Sequence, residues 1–385
     1  MGRRPARAVA HGAPARLIAP RAQTQTDFPA QELETARVSP TAGPGRRHSA
    51  PRRSAPAAGG SPPAAMVGTV AEVASLTIYP VKSCGGVDVS LLAERWPVDT
   101  EGLRHDREWV VVDADTGRFA SQRATPRMAT VRCSLDLTVG ELVLSSAACG
   151  GALRVPLAAP AQTALSPRDV RVWEFKGQAH DEGDPAAEWM TRALAQDGGD
   201  GGGGRAFRLV RFDARLSSRP LDADFVGPDF EGGTRFSDGY PMLIASHESL
   251  GALNEALTAK GETAVPLERF RANIVVQGAA GKALAPYEED TWLKFRCGGI
   301  DLAMVKPCAR CTMPSVDQQT GHKPSPSEPL RTLTDTRKGS DLGYTRKKMS
   351  GGAYFGANVV ALPGGTSASL GVGDAIQVIE AGAWE

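Results

Sequence analysis

The chain has 385 residues, 41% hydrophobic and 23% charged, with 44 basic against 43 acidic side chains and a net charge of +1. That balance suits a globular protein with room for two domains, and nothing in the overall charge argues for nucleic acid or an anionic membrane as the main partner. Aromatics at 6% give no stacking platform for single strands, and no stretch reaches the ~18 apolar residues of a membrane span.

Residues 1–66 read as an extension outside the fold. Up to residue 65 there are ten Arg, ten Pro and only three acidic residues, with no apolar periodicity that could bury a core. The Arg-rich, acid-poor composition fits a transit peptide for a mitochondrion or plastid. The alternatives are a disordered tail or initiation at Met66, which would leave the protein cytoplasmic.

The folded part begins near Val70. Short strands are predicted at 73–81, 87–92, 107–113, 128–135, 141–145 and 169–175, with a hairpin turn at Asp115-Thr116-Gly117. Close spacing of short strands suggests a small barrel over residues 67–175. A connection over 176–216 holds a helix capped by Asp184 and started by Pro185, then the glycines 201–204, which read as a floppy insertion because no Gly-Lys-Ser/Thr follows. A second helix starts at Ser246, presents Leu250, Leu253 and Leu257, and ends at Gly261. Strands return at 273–277, 291–296, 300–306, 354–361 and 374–380, interrupted by a charged insertion at 338–352. The expected class is mainly β (α+β): an N-terminal β-barrel, then a second β-barrel over 217–382 with a few peripheral helices.

Six cysteines are too few to staple a chain of this length with disulfides. The most reactive segment is Cys308-Ala309-Arg310-Cys311. A Cys-x-x-Cys pair can be half of a zinc site, but Cys297 and His322 stand alone as further ligands. It can be a redox pair opening a helix, which Pro314 and the β-rich context oppose. It can also supply one thiolate to a soft or borderline metal, with the other Cys structural.

The third reading gains weight from a resemblance. Ala303-Met304-Val305, the Cys308–Cys311 segment, Val316-Asp317-Gln318-Gln319-Thr320-Gly321, Glu328-Pro329-Leu330-Arg331, Tyr354-Phe355-Gly356-Ala357-Asn358 and Val372-Gly373-Asp374 follow one another as in the MOSC family (molybdenum cofactor sulfurase C-terminal domain). Ile78-Tyr79-Pro80-Val81-Lys82-Ser83-Cys84 resembles the start of that family's N-terminal barrel. The similarity runs over residues 73–380, and within the family it is nearest the mitochondrial amidoxime-reducing proteins and their bacterial counterparts.

That resemblance implies a molybdenum cofactor (Mo-molybdopterin) bound through Cys311, with Cys308 packing. It places Lys82, Ser83, Arg107, Arg271 and Asn273 on the cofactor and its phosphate, and Asp238 near the metal as a catalytic carboxylate. Taken alone, Arg107 could be a surface ion pair with Asp106 or Asp113, and Asp238 a turn residue. Arg123 and Arg127 resemble family positions without an assigned role; His247 and His322 read as a helix-start and a surface histidine. The implied reaction is two-electron removal of oxygen from a small N-hydroxylated substrate. No haem-attachment or dinucleotide motif is present, so electrons come from outside: a b-type cytochrome and an NADH-dependent flavin reductase. The rival implication is a carrier of sulfur or of the cofactor. Pyridoxal phosphate is not expected, since full-length sulfurases use for it a domain this chain has no room for.

Overall fold

The computed structural model describes residues 68–195, 204–227, 230–362 and 368–384. The N-terminal extension and glycines 201–203 lie outside the described residues.

Seven strands form a closed sheet. In order they are Ile274–Gly278, Met242–Ser246, Tyr354–Ala361, Ile300–Ala309, Trp292–Cys297, Ala375–Ala381 and Ala71–Ile78, and the last pairs back to the first. Pairing is antiparallel throughout except between Met242–Ser246 and Ile274–Gly278, which run parallel. A closed sheet leaves no edge exposed. Successive side chains of a strand face opposite ways, and the sequence uses both faces. Met242, Ile244, Ile274, Val276, Ala357 and Val359 enter the main core. The alternating Leu243, Ala245, Val275 and Phe355 instead meet Leu253 and Leu257 of the helix His247–Ala259.

Most of the other strands make smaller antiparallel sheets. Trp109–Asp113, Phe207–Arg211, Phe175–Asp181 and Pro167–Val172 form one, and Arg132–Asp136, Glu141–Ser145 and Leu153–Pro156 a three-stranded meander. The protein is therefore mainly β with few helices, as its patterning predicts.

Several local expectations change. The strand expected at 87–92 is two residues of strand followed by the 3-10 turn Val89–Leu91, whose backbone Asp88 caps by accepting from the Ser90 amide. The first half of 128–135 is also a 3-10 turn, Pro126–Thr130. The run at 169–175 is broken by a hairpin, because Val172 pairs with Phe175 and leaves Trp173-Glu174 as the turn. Asp184 is the first residue of its helix and Gly183 the cap. Ser246 caps the next helix as predicted, accepting from the Ser249 amide, and Gly261 follows its end at φ +77°.

A cationic cavity at one end of the barrel

At one end of the closed sheet lies a cavity of about 310 Å³. Lys82, Ser83, Arg107, Asp238, Arg271, Asn273 and Cys311, all singled out from sequence, line it together. They arrive on separate elements. Lys82 and Ser83 follow the strand Ala71–Ile78, Arg271 and Asn273 precede Ile274–Gly278, and Cys311 follows Ile300–Ala309.

The backbone here adopts conformations that side-chain-bearing residues avoid. Ser83, Arg107 and Arg271 have φ of 68°, 47° and 59°. Left-handed backbone at non-glycine residues costs about 1–2 kcal/mol each and persists where surrounding contacts impose it. For Arg107 those contacts are its amide on Tyr79 O at 2.9 Å and its carbonyl accepting from the Phe236 amide at 2.9 Å.

The Arg107 side chain pairs with Asp106, one of the alternatives given above, but in a largely buried pair at the cavity wall and not on the surface. Its Nη1 donates to Asp106 at 2.7 and 2.6 Å and to Asn273 Oδ1 at 3.0 Å, and Nη2 donates to Arg271 O at 3.2 Å. The ion pair with Asp106 holds the guanidinium at the cavity wall. Arg271 donates to Cys84 O at 2.7 Å, and both guanidinium groups lie over the Tyr79 ring, at 4.4 and 4.0 Å. Burial, then the charge of Arg107, lowers the pKa of Arg271. Asn273, 1% exposed, uses its whole amide. Nδ2 donates to Thr77 O and Asp106 Oδ1, and Oδ1 accepts from Arg107 and the Leu243 amide. It touches the cavity but has no hydrogen-bonding capacity left for a ligand, so its contribution is to hold Arg107.

Opposite stands an ion pair. Lys82 Nζ donates to Asp238 Oδ1 at 2.5 Å and to Phe236 O at 2.8 Å. Burial brings Lys82 down to about 8 despite the nearby carboxylate. For Asp238 burial acts upward, but the Lys82 charge and hydrogen bonds from Lys82 and Trp173 win and hold it below the usual carboxylate range. With 63% of its side chain open, solvent screens part of that pull.

Cys311 is exposed at the cavity, in the turn between Ile300–Ala309 and the 3-10 turn Met313–Ser315. Cys308, half-buried, packs beside the apolar cluster that includes Leu243 and Phe270, and burial raises its pKa. Among the described residues no three His, Cys, Asp or Glu side chains converge as metal ligands, so the pair lacks the other half of a zinc site. No long helix follows the pair either, as a redox motif of that kind requires.

Sequence reasoning left out several wall residues: Arg269, Arg310, Lys306, Tyr240 and Asn358. Arg310 was within reach, since it sits inside the Cys-x-x-Cys motif. Its Nε and Nη1 donate to Phe355 O and Phe270 O, while Nη2 is buried without a partner. Arg269 Nε and Ser83 Oγ are likewise buried and unpartnered. Such atoms cost about 1–3 kcal/mol each unless something binds them. Outside the cavity, His247 opens its helix and His322 is exposed, as expected.

Two family models match the chain: the MOSC N-terminal beta barrel domain over residues 70–197 and the MOSC domain over 231–377. The chain belongs to the MOSC family. Mitochondrial amidoxime-reducing component 1 of Homo sapiens is 32% identical over 320 residues, covering 81% of this MOSC chain and 83% of the human protein. The bovine component 2 is 32% identical over 70% of this chain and 73% of its own length. Molybdenum cofactor sulfurase of Arabidopsis thaliana is 30% identical over 69% of this chain, but the match spans only 31% of the plant protein. The MOSC protein is thus related both to amidoxime-reducing components and to a molybdenum cofactor sulfurase. No helix among its described residues is long and apolar enough to cross a membrane.

Proposed function

We propose that the cavity holds a molybdenum cofactor and that the protein reduces small N-hydroxylated compounds, with Cys311 as the metal ligand. The observation that carries this reading is the meeting of one exposed thiol with a cationic wall whose buried donors lack partners. Ser83 Oγ, Arg269 Nε and Arg310 Nη2 fit the acceptor oxygens of a phosphate-bearing group, and Lys82, Arg107 and Arg271 supply its counter-charge. Each charge-assisted hydrogen bond contributes about 1.5–3 kcal/mol, so a few suffice to seat an anion. When bound, the molybdenum centre supplies two-electron acceptance of an oxygen atom.

The chain's own groups orient substrate and move protons. Asp238 stays ionised at neutral pH and faces the cavity as an acceptor for a substrate N–H or O–H. Lys82, titrating at about 8, can release a proton from Nζ close to physiological pH. Turnover converts an N–OH group to N–H and water, consuming two electrons and two protons. The electrons come from outside the chain, from a b-type cytochrome fed by an NADH-dependent flavin reductase.

A second reading draws on the sulfurase match: an exposed Cys311 could carry sulfur as a persulfide, or the cavity could store the cofactor for delivery. The full chain, produced in a host that makes the cofactor, separates them. Bound molybdenum together with NADH-driven benzamidoxime reduction, given added cytochrome and reductase, supports the enzyme. Metal without turnover supports the carrier, and no metal rejects both. Cys311→Ser should lose the metal while Cys308→Ser keeps most of it; full molybdenum in Cys311→Ser rejects the ligand assignment.

A further inference from the structure

Trp173 occupies a position where a tryptophan is costly. It opens the two-residue hairpin turn between Pro167–Val172 and Phe175–Asp181 at φ +56°. Glycine or asparagine is the usual residue for such a turn. It is also the only tryptophan in the exposed class among the described residues, at 40%. An exposed indole on strained backbone breaks two local rules at once, and such breaks concentrate at functional sites.

Its contacts point to the cavity. The indole Nε1–H donates to Asp238 Oδ1 at 2.9 Å, the same oxygen that takes Lys82. The ring packs edge-on against Phe119 at 4.9 Å, and the Arg123 guanidinium lies over it at 4.5 Å. Phe119 in turn carries the Lys82 ammonium 5.4 Å from its centroid. One edge of the indole is therefore fixed to the cavity carboxylate, and the ring is held rigid beside it, with Arg123 stacked over it and 40% of the residue open to solvent. Arg123, which the sequence left without a role, finds one as the support of this ring.

We infer that Trp173 is a specificity-determining residue: a fixed planar wall at the cavity mouth that selects flat, conjugated N-hydroxylated substrates by stacking, while its N–H aims Asp238. Rigid aromatic surfaces favour offset-stacked planar partners over saturated ones of similar size. This rests on the proposed site but not on turnover, because stacking acts on binding.

The test uses the full-length protein purified with its cofactor and measures calorimetric binding of benzamidoxime and of cyclohexanecarboxamidoxime. They share the N-hydroxylated head and differ in ring planarity. Wild type should prefer benzamidoxime by about tenfold. Trp173→Ala should bring the two within about twofold of each other. Trp173→Phe keeps a flat ring but loses the donor, so it should retain most of the preference. Where turnover is measurable, Trp173→Phe should lower kcat more than it raises KM. An equal preference in wild type, or one surviving in Trp173→Ala, overturns the inference. A planar preference in wild type that Trp173→Ala abolishes, without turnover of either compound, rejects the reductase reading and leaves the stacking wall standing.

Discussion

Asn273→Ala probes the scaffold of the cavity, because every hydrogen bond of its amide goes to the protein. The amide joins four partners: Thr77 O at 3.1 Å, Asp106 Oδ1 at 3.0 Å, Arg107 Nη1 at 3.0 Å and the Leu243 amide at 3.1 Å. Two are neutral, at about 1 kcal/mol each, and two are charged, at about 1.5–3 kcal/mol each. The sum is an upper bound, because Asp106 and Arg107 still hold each other at 2.6 Å after truncation. The Leu243 amide, however, stays buried with nothing to replace the side chain, and the part-buried Thr77 carbonyl loses its donor. A loss of about 3 kcal/mol follows, read as a lower midpoint in urea unfolding followed by tryptophan fluorescence. The same variant should bind less molybdenum, since Arg107 loses an anchor. Destabilisation below about 1 kcal/mol would show that the amide is not the joint described here.

Other outcomes follow from the same geometry. Lys82 has a folded pKa of about 8 against 10.5 for the free side chain, so between those values the unfolded chain holds a proton the folded one has lost. Stability gains a rising contribution with pH through that window, and Lys82→Met should remove it; an unchanged slope of melting temperature from pH 8 to 10.5 refutes the assignment. Gly356 sits at φ +70°, and a Cβ there would lie 2.6 Å from Ile244 O. Gly356→Ala should cost more than about 2 kcal/mol by thermal unfolding, combining left-handed backbone with a clash against main chain that cannot give. Glu289, 1% exposed, accepts from the Ser246 amide and from the hydroxyls of Ser246 and Ser249 at 2.6–3.0 Å. Burial raises its pKa. Glu289→Ala should therefore destabilise by about 3 kcal/mol, and Glu289→Gln, which keeps acceptor and shape, by clearly less; equal losses would contradict this.

What the sequence made legible was residue chemistry tied to local pattern. Ser246 as a cap and Leu253 and Leu257 as a buried stripe need only neighbours a few positions away, whereas the choice of Cys311 over Cys308 came from the family resemblance and not from local pattern. Long-range pairing was not legible in the same way. Nothing in VASLTIYPV distinguishes a strand of an N-terminal barrel from the stave that closes a sheet built from residues 242–381. Asn273 looked like a ligand because its type suits one; only tertiary contacts reveal that every lone pair and hydrogen is already engaged. Trp173 was absorbed into a strand because its β propensity is high, whereas the hairpin register there is decided by pairing.

The position of Ala71–Ile78 in the closed sheet bears on how the protein is made. This strand leaves the ribosome among the first folded residues, yet its partners Ile274–Gly278 and Ala375–Ala381 come about 200 and 300 positions later. Until synthesis is nearly finished the ring stays open, and Lys82 and Ser83, carried directly behind that strand, have no fixed place opposite Cys311. On the proposed function, cofactor loading is then a post-translational event on the whole chain. A fragment beginning at residue 231 would present two unpaired strand edges to its neighbours, an invitation to aggregate rather than a smaller working protein.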